Sequence, residues 1–257
     1  MPMRMRPRTA LITGASSGIG EAFARALSEG TSLLLTGRNH DALQALTSEV
    51  SAPGRVIETI AADLSTDGGL DAVTARAGAF GIDLLILNAG TGRYGDFLDA
   101  SEETLRETVA VNVLAPVVLA HRLLPGMIAR ARNTGGRAGL IVVSSAAAFA
   151  PVPRLAAYVA SKAFDLSLAE ALTAELAGEP VDVLALCPGA TRSRFAERSG
   201  WRGGIPPGAM DPRQVAEAAL AALGRRRTLV LGPLSGTLLS APALARAAIA
   251  QGLAFPR

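Results

Sequence analysis

Along this chain, short apolar runs alternate with longer stretches in which apolar positions recur every three or four residues. TALIT (9–13), SLLLTG (32–37), VIETIAAD (56–63), IDLLILNAG (82–90), GLIVVSS (139–145), VDVLALCPG (181–189) and TLVLG (228–232) read as strands. Helical periodicity covers about 18–29, 40–50, 68–79, 101–131, 156–177 and 212–223. Strands alternating with helices predict βαβ units joined by right-handed crossovers. The expected fold is therefore α/β, a doubly wound parallel sheet of about seven strands with helices on both faces, in a single domain over 1–257.

Local signals sharpen some boundaries. Asp211 followed by Pro212 supplies an N-cap and a first-turn proline to the last helix. Pro116, inside the long segment 101–131, is expected to kink or restart that helix. A Gly/Pro-rich segment at about 190–210 reads as a lid, and the apolar tail 233–257 is expected to rest on the body or on a partner subunit; membrane contact is the competing reading, disfavoured because the tail lacks a basic polar face.

Composition removes several classes. A net charge of +3 without a basic block gives no footprint for nucleic acid. The basic start MPMRMRPR runs directly into a strand-like segment, which predicts no signal peptide. No uninterrupted apolar run reaches the length of a membrane span. Cys187, the one cysteine, has no intramolecular partner, which points to a reducing compartment and a cytoplasmic protein.

The first strand leads into TGASSGIG, Thr13 to Gly20, before a helix. Gly14 permits a turn, Gly18 a close approach of backbone to a ligand, and Gly20 close packing of helix on strand. Between them Ser16, Ser17 and Ile19 offer backbone N–H groups at a helix N-terminus, where a pyrophosphate would sit. A purely structural turn is the competing reading, because the spacing G-x-x-x-G-x-G departs from the general dinucleotide fingerprint. The Walker lysine is absent, which argues against an NTPase. Where an acidic residue would bind the ribose of NAD, the second strand ends in Gly37 and Arg38. A guanidinium pairs with a phosphate that a carboxylate would repel, so this charge favours NADP(H) over NAD(H). Asp63, ending the third strand, fits either a hydrogen bond to adenine or a loop cap.

The chain holds 25 basic residues and two tyrosines, and its one lysine, Lys162, stands four residues after Tyr158 in YVASK. That places both on one helix face. An unperturbed phenol has a pKa near 10, and a nearby cation favours its ionised form.

TGASSGIG, LNAG (87–90), VNVLAP (111–116), VVSS (142–145), YVASK and CPGATRS (187–193) occur in the order and spacing of the short-chain dehydrogenase/reductase family, which the chain resembles over about 9–220. The resemblance implies a Rossmann-like oxidoreductase that moves hydride between nicotinamide and a carbonyl or alcohol substrate, with no metal. It makes Tyr158 the general acid/base and Lys162 the partner of the nicotinamide ribose, its three donors free for both hydroxyls and the tyrosine. Ser145 is the donor to the substrate oxygen, and Asn112 the helix asparagine whose main chain holds a relay water. It further implies cofactor contacts from Asn88, Ala89 and Gly90, from Pro188 and Gly189, and from Thr191 and Ser193, where Ser193 stands at a place the family usually gives to threonine. LLPGMIAR, SKAF and CPGATRSRF resemble the hydroxysteroid and long-chain ketoacyl reductase branch. A homodimer through 101–131 and 156–177, or a tetramer, is implied.

Phe149, Phe195, Trp201 and Ile205 are candidates for an apolar substrate pocket, and Arg93, Arg154, Arg192 and Arg194 for either an anionic substrate tail or solvated surface. His40 and His121 lack paired ligand spacing. Two other classes compete: a non-catalytic nucleotide sensor or scaffold, and a methyltransferase on a nucleotide fold. The Tyr158 and Lys162 pair disfavours both.

Overall fold

In a computed structural model, residues 6–205 and 208–232 are described. The expected tail 233–257 lies outside them. Seven parallel strands form one sheet in the order β3-β2-β1-β4-β5-β6-β7. They are β1 (Thr9–Thr13), β2 (Ser32–Gly37), β3 (Ile57–Ala61), β4 (Leu84–Leu87), β5 (Ala138–Val143), β6 (Val181–Pro188) and β7 (Thr228–Leu231). The helices are α1 (Gly18–Ala26), α2 (His40–Glu49), α3 (Asp67–Phe80), α4 (Glu102–Val109), α5 (Ala115–Thr134), α6 (Ala156–Glu175), α7 (Phe195–Ser199) and α8 (Pro212–Ala222).

The central strands are apolar at nearly every position because both faces of the sheet are covered. Successive side chains go to opposite sides. Ala10 and Ile12 of β1, Leu33 and Leu35 of β2, and Ile141 and Val143 of β5 join a core with α1, α2 and α8. Leu11, Leu34, Leu140 and Val142 join the other, with α3, α5 and α6.

The segment 101–131 is a continuous helical run to Thr134, with a π-helical turn over Ala110–Leu114 joining α4 to α5. Pro116 explains the turn. It occupies the place whose N–H would bond the Asn112 carbonyl in an α-helix, and proline has none. Glu102–Thr134 also contains an 18-residue window of mean hydropathy 1.5, long and apolar enough for a membrane span by composition. Half of that window is buried, with Leu119, Leu123 and Met127 in the core beneath the sheet. Asp211 caps α8 as expected, its carboxylate accepting from Arg213 N at 2.9 Å. Two 3₁₀ turns, Phe97–Asp99 and Ala146–Phe149, and the short α7 arise in segments that sequence periodicity leaves as loops.

Candidate active site

The order in which strands are added reverses between β1 and β4, and the carboxyl ends of these parallel strands open into a cleft of about 660 Å³. The glycine loop forms one wall. Gly14 has φ +66°, and a Cβ there would meet the Ala89 backbone at 2.8 Å. Gly20 has no room at all, since a Cβ would lie 2.3 Å from the Gly14 carbonyl oxygen. Asn88 ties the two strand ends together, its Nδ2 donating to the carbonyls of Thr13 and Gly14 at 2.9 and 3.2 Å. Helices α2, α3, α4 and α8 are each capped by a side chain, whereas Ser17 caps α1 with no such bond. The first N–H groups of α1 are thus left to the cleft, which Ser16, Ser17, Gly18 and Ile19 line.

At the end next to β2 and β3 stand Arg38 and Asp63. Arg38 Nη1 donates to Glu107 Oε1 of α4 at 2.7 Å. Asp63 Oδ1 accepts from the Ser65 N–H and hydroxyl at 2.9 and 2.7 Å, and these bonds, with Arg38 nearby, hold its carboxyl below the usual range. Asp63 is therefore a loop cap and also a cleft residue.

Tyr158 and Lys162 sit one turn apart on α6, and both line the cleft with Ser145. The Ser145 Oγ accepts from Ala147 N at 3.1 Å, which fixes the side chain and leaves its proton available to a ligand. Ser144 is turned away and buried, donating to the Lys162 carbonyl at 2.6 Å. Lys162 departs from expectation. Its ammonium donates to the Val143 carbonyl at 2.9 Å and to Asp165 Oδ2 at 2.8 Å, so one of its three donors remains instead of all three. Asn112 is fully buried, and its side chain is spent on structure: Oδ1 accepts from Thr91 N, while Nδ2 donates to Thr91 O and Ser161 Oγ. These bonds hold the loop after Gly90 against α6, and a Cβ on Gly90 would come within 3.4 Å of Lys162 Nζ.

The strand β6 delivers Pro188 and Gly189 to the cleft floor, followed by Thr191 and Ser193. Thr191 Oγ1 donates to the Gly189 carbonyl at 3.0 Å, and Ser193 lies against Gly18. From here α7 crosses back to the glycine loop. Arg194 donates to the Ser16 carbonyl at 3.3 Å and Arg198 to the Ser17 hydroxyl at 2.5 Å. Burial, then neighbouring Arg194 and Arg38, push the Arg198 guanidinium below its ordinary value. Phe195 packs on Tyr158 with ring centroids 4.8 Å apart, and Trp201 meets Tyr94 edge-on at 4.7 Å. Two of the proposed pocket residues are misplaced: Phe149 does not line the cleft, and Ile205 is 66% exposed. Arg154 and Arg192 pair with Asp96 and Asp211 at the surface. Cys187 is fully buried, and burial pushes its thiol up to about 12. His40 lies beside Asp41, both exposed, at the start of α2.

A family model described as short chain dehydrogenase matches residues 8–201. The chain belongs to that family. It is 34% identical over 226 residues to the very-long-chain 3-oxoacyl-CoA reductase of Eremothecium gossypii, covering 84% of this chain and 62% of that one. Among solved structures it resembles a short-chain dehydrogenase from Sphingobium yanoikuyae in complex with NADPH (TM-score 0.76, 32% identity, 90% and 86% of the two chains). It also resembles a family member from Burkholderia phymatum in complex with NAD (TM-score 0.80, 26% identity, 90% and 92%).

As a short-chain dehydrogenase/reductase, the chain is an oxidoreductase. Sequence reasoning missed three site residues. Asp165 follows Tyr158 and Lys162 on the same helical stripe, a signal visible in the spacing. Arg198 follows Arg194 at i+4 on a helix that periodicity did not reveal. Glu107 carried no signal, because only the packing of α4 brings it to Arg38.

Proposed function

We propose that this enzyme interconverts a carbonyl and an alcohol with NADP(H) as the hydride carrier. The observation that carries this reading is the convergence of Tyr158, Lys162 and Ser145 on the cleft that the glycine loop also walls. The loop fits a dinucleotide, since Gly14, Ser16, Ser17, Gly18 and Ile19 line the cleft at the N-terminus of α1, which no side chain caps. The bound nicotinamide supplies or accepts the hydride. Tyr158 gives or takes the proton on the substrate oxygen, and Ser145 donates its free proton to that oxygen. Lys162 directs its remaining donor to the ribose. Asn112 acts through its main chain, its side chain being committed elsewhere.

The preference for the phosphorylated cofactor rests on charge. Arg38, Arg194 and Arg198 gather around Ser16 and Ser17, and their mutual repulsion is relieved by a polyanion. Asn88, Ala89, Gly90, Pro188, Gly189, Thr191 and Ser193 frame the nicotinamide end, and Asp63 lines the adenine end. The substrate enters beside Tyr94, Phe195 and Trp201, under a lid spanning about 190–210. Exposed Val109 and Leu114 on the α4–α5 run and Phe164 on α6 support a homodimer through those helices. A cytoplasmic location accompanies this reading.

A panel of carbonyls with NADPH and of alcohols with NADP⁺, followed by nicotinamide absorbance, tests the activity. With the best substrate, Tyr158→Phe is expected to lower kcat by about 10² or more while NADPH binding persists. Unchanged turnover would remove the assignment.

A further inference from the structure

Lys162 and Asp165 are both buried, at 5% and 2% exposure, and lie three residues apart on α6. A carboxylate in the middle of a helix, pressed into the core, is an unfavourable choice wherever an apolar residue would fit. Asp165 Oδ2 takes the bond from Lys162 at 2.8 Å, while Oδ1 has no hydrogen-bond partner among the described residues. Asp165 also lines a cavity of about 10 Å³, whose other walls, including Leu64, Leu87, Val111 and Leu119, are mostly apolar. Stability does not account for this arrangement, because replacing a buried ion pair by apolar groups is often neutral or favourable.

Its effect on the lysine does. The charged and titratable groups that face Lys162 are Tyr158 and Asp165 from its own helix and Cys187 from β6. Asn112 and Ser161 beside it are neutral. Glu170, further along α6, acts on Cys187 and hydrogen-bonds Thr228. The buried thiol stays protonated, and among these groups Asp165 is the one that accepts a hydrogen bond from the ammonium, at 2.8 Å. Burial by itself would push the lysine down, and the Asp165 carboxylate reverses this, holding Lys162 above its ordinary value. Burial in turn pushes Asp165 up against the pull of Lys162.

We propose that Asp165 is a positioning residue for the reaction: it keeps the buried Lys162 an ammonium and, with the Val143 carbonyl, fixes two of its donors so that the third addresses the cleft. This rests on the reading of Lys162 as the cation that meets the cofactor.

The single lysine makes the test direct. Protein grown with isotope-labelled lysine gives one lysine side-chain signal, whose charge is followed by NMR as pH rises. In Asp165→Asn, which keeps an oxygen for Nζ without the charge, Lys162 is expected to lose its proton at least about one pH unit below wild type. Should the Asn variant fail to fold, Asp165→Ser serves the same comparison. A lysine that stays charged to the same pH in the folded variant overturns the proposal. NADPH titrations on the same samples should show affinity falling by about fivefold or more between neutral and alkaline pH in the variant, with wild type holding its affinity. Failure of wild type to bind NADPH at any pH would instead count against the proposed function, and the lysine titration would still decide the case of Asp165.

Discussion

Arg38 reaches across the mouth of the cleft to Glu107, Nη1 to Oε1 at 2.7 Å, joining the end of β2 to α4. The guanidinium that charge logic assigns to a cofactor phosphate is thus already paired, and a phosphate has to compete with a carboxylate for it. Glu107→Gln is expected to tighten NADPH binding by about three- to tenfold and to leave NADH nearly unchanged, while Arg38→Asp reverses the preference. Fluorescence titration of both nucleotides measures this. A wild-type preference for NADH would contradict the assignment of Arg38.

Neighbouring serines at the end of β5 have separable duties. Ser144 is buried on the Lys162 carbonyl, so Ser144→Ala should cost about 1–2 kcal/mol of stability by denaturant melting. In the proposed mechanism Ser145 donates to the substrate, so Ser145→Ala should leave the melt nearly unchanged and lower kcat by about 10². The opposite division of effects would reverse the strand register assumed for the active serine.

Asp63 is held ionised by Ser65, so its folded pKa lies below its unfolded one. Such a group stabilises the fold above the ordinary carboxylate range, and the contribution disappears as pH falls through the depressed folded value. Wild type should therefore melt above Asp63→Asn near neutrality, and the gap should close as acid takes the pH below the ordinary carboxylate range. Thermal melts across that range provide the check; a gap that widens in acid would refute the sign.

Phe164 leaves 38% of its surface exposed on α6, close in kind to Val109 and Leu114 on the neighbouring helical run. If these faces meet a second copy, Phe164→Glu should shift the protein to a monomer at concentrations where wild type sediments as a dimer. A wild type that sediments as a monomer would leave these apolar side chains without that explanation.

How far the sequence reaches is clearest at α6. Tyr158, Lys162 and Asp165 share a stripe because a helix advances 3.6 residues per turn, so the face proposed for catalysis is written locally. The strands were equally legible, since their unbroken apolar runs reflect a sheet covered on both sides. Where boundaries slipped, tertiary contacts set them. The strand expected over 82–90 ends at Leu87, because Asn88 leaves the ladder to bond Thr13 and Gly14 of the adjacent strand and loop.

By itself, then, the amino-acid order determined the alternation of elements, the glycine loop and the spacing of Tyr158 and Lys162, all consequences of short-range backbone geometry. Tertiary structure alone decided who occupies each charge. Ser17 receives Arg198 from 181 positions away, Arg38 meets Glu107 across 69, and Lys162 spends a donor on the β5 carbonyl of Val143. Such partners are chosen by the strand order and by how helices settle on the sheet, and no local pattern in the chain encodes that distance.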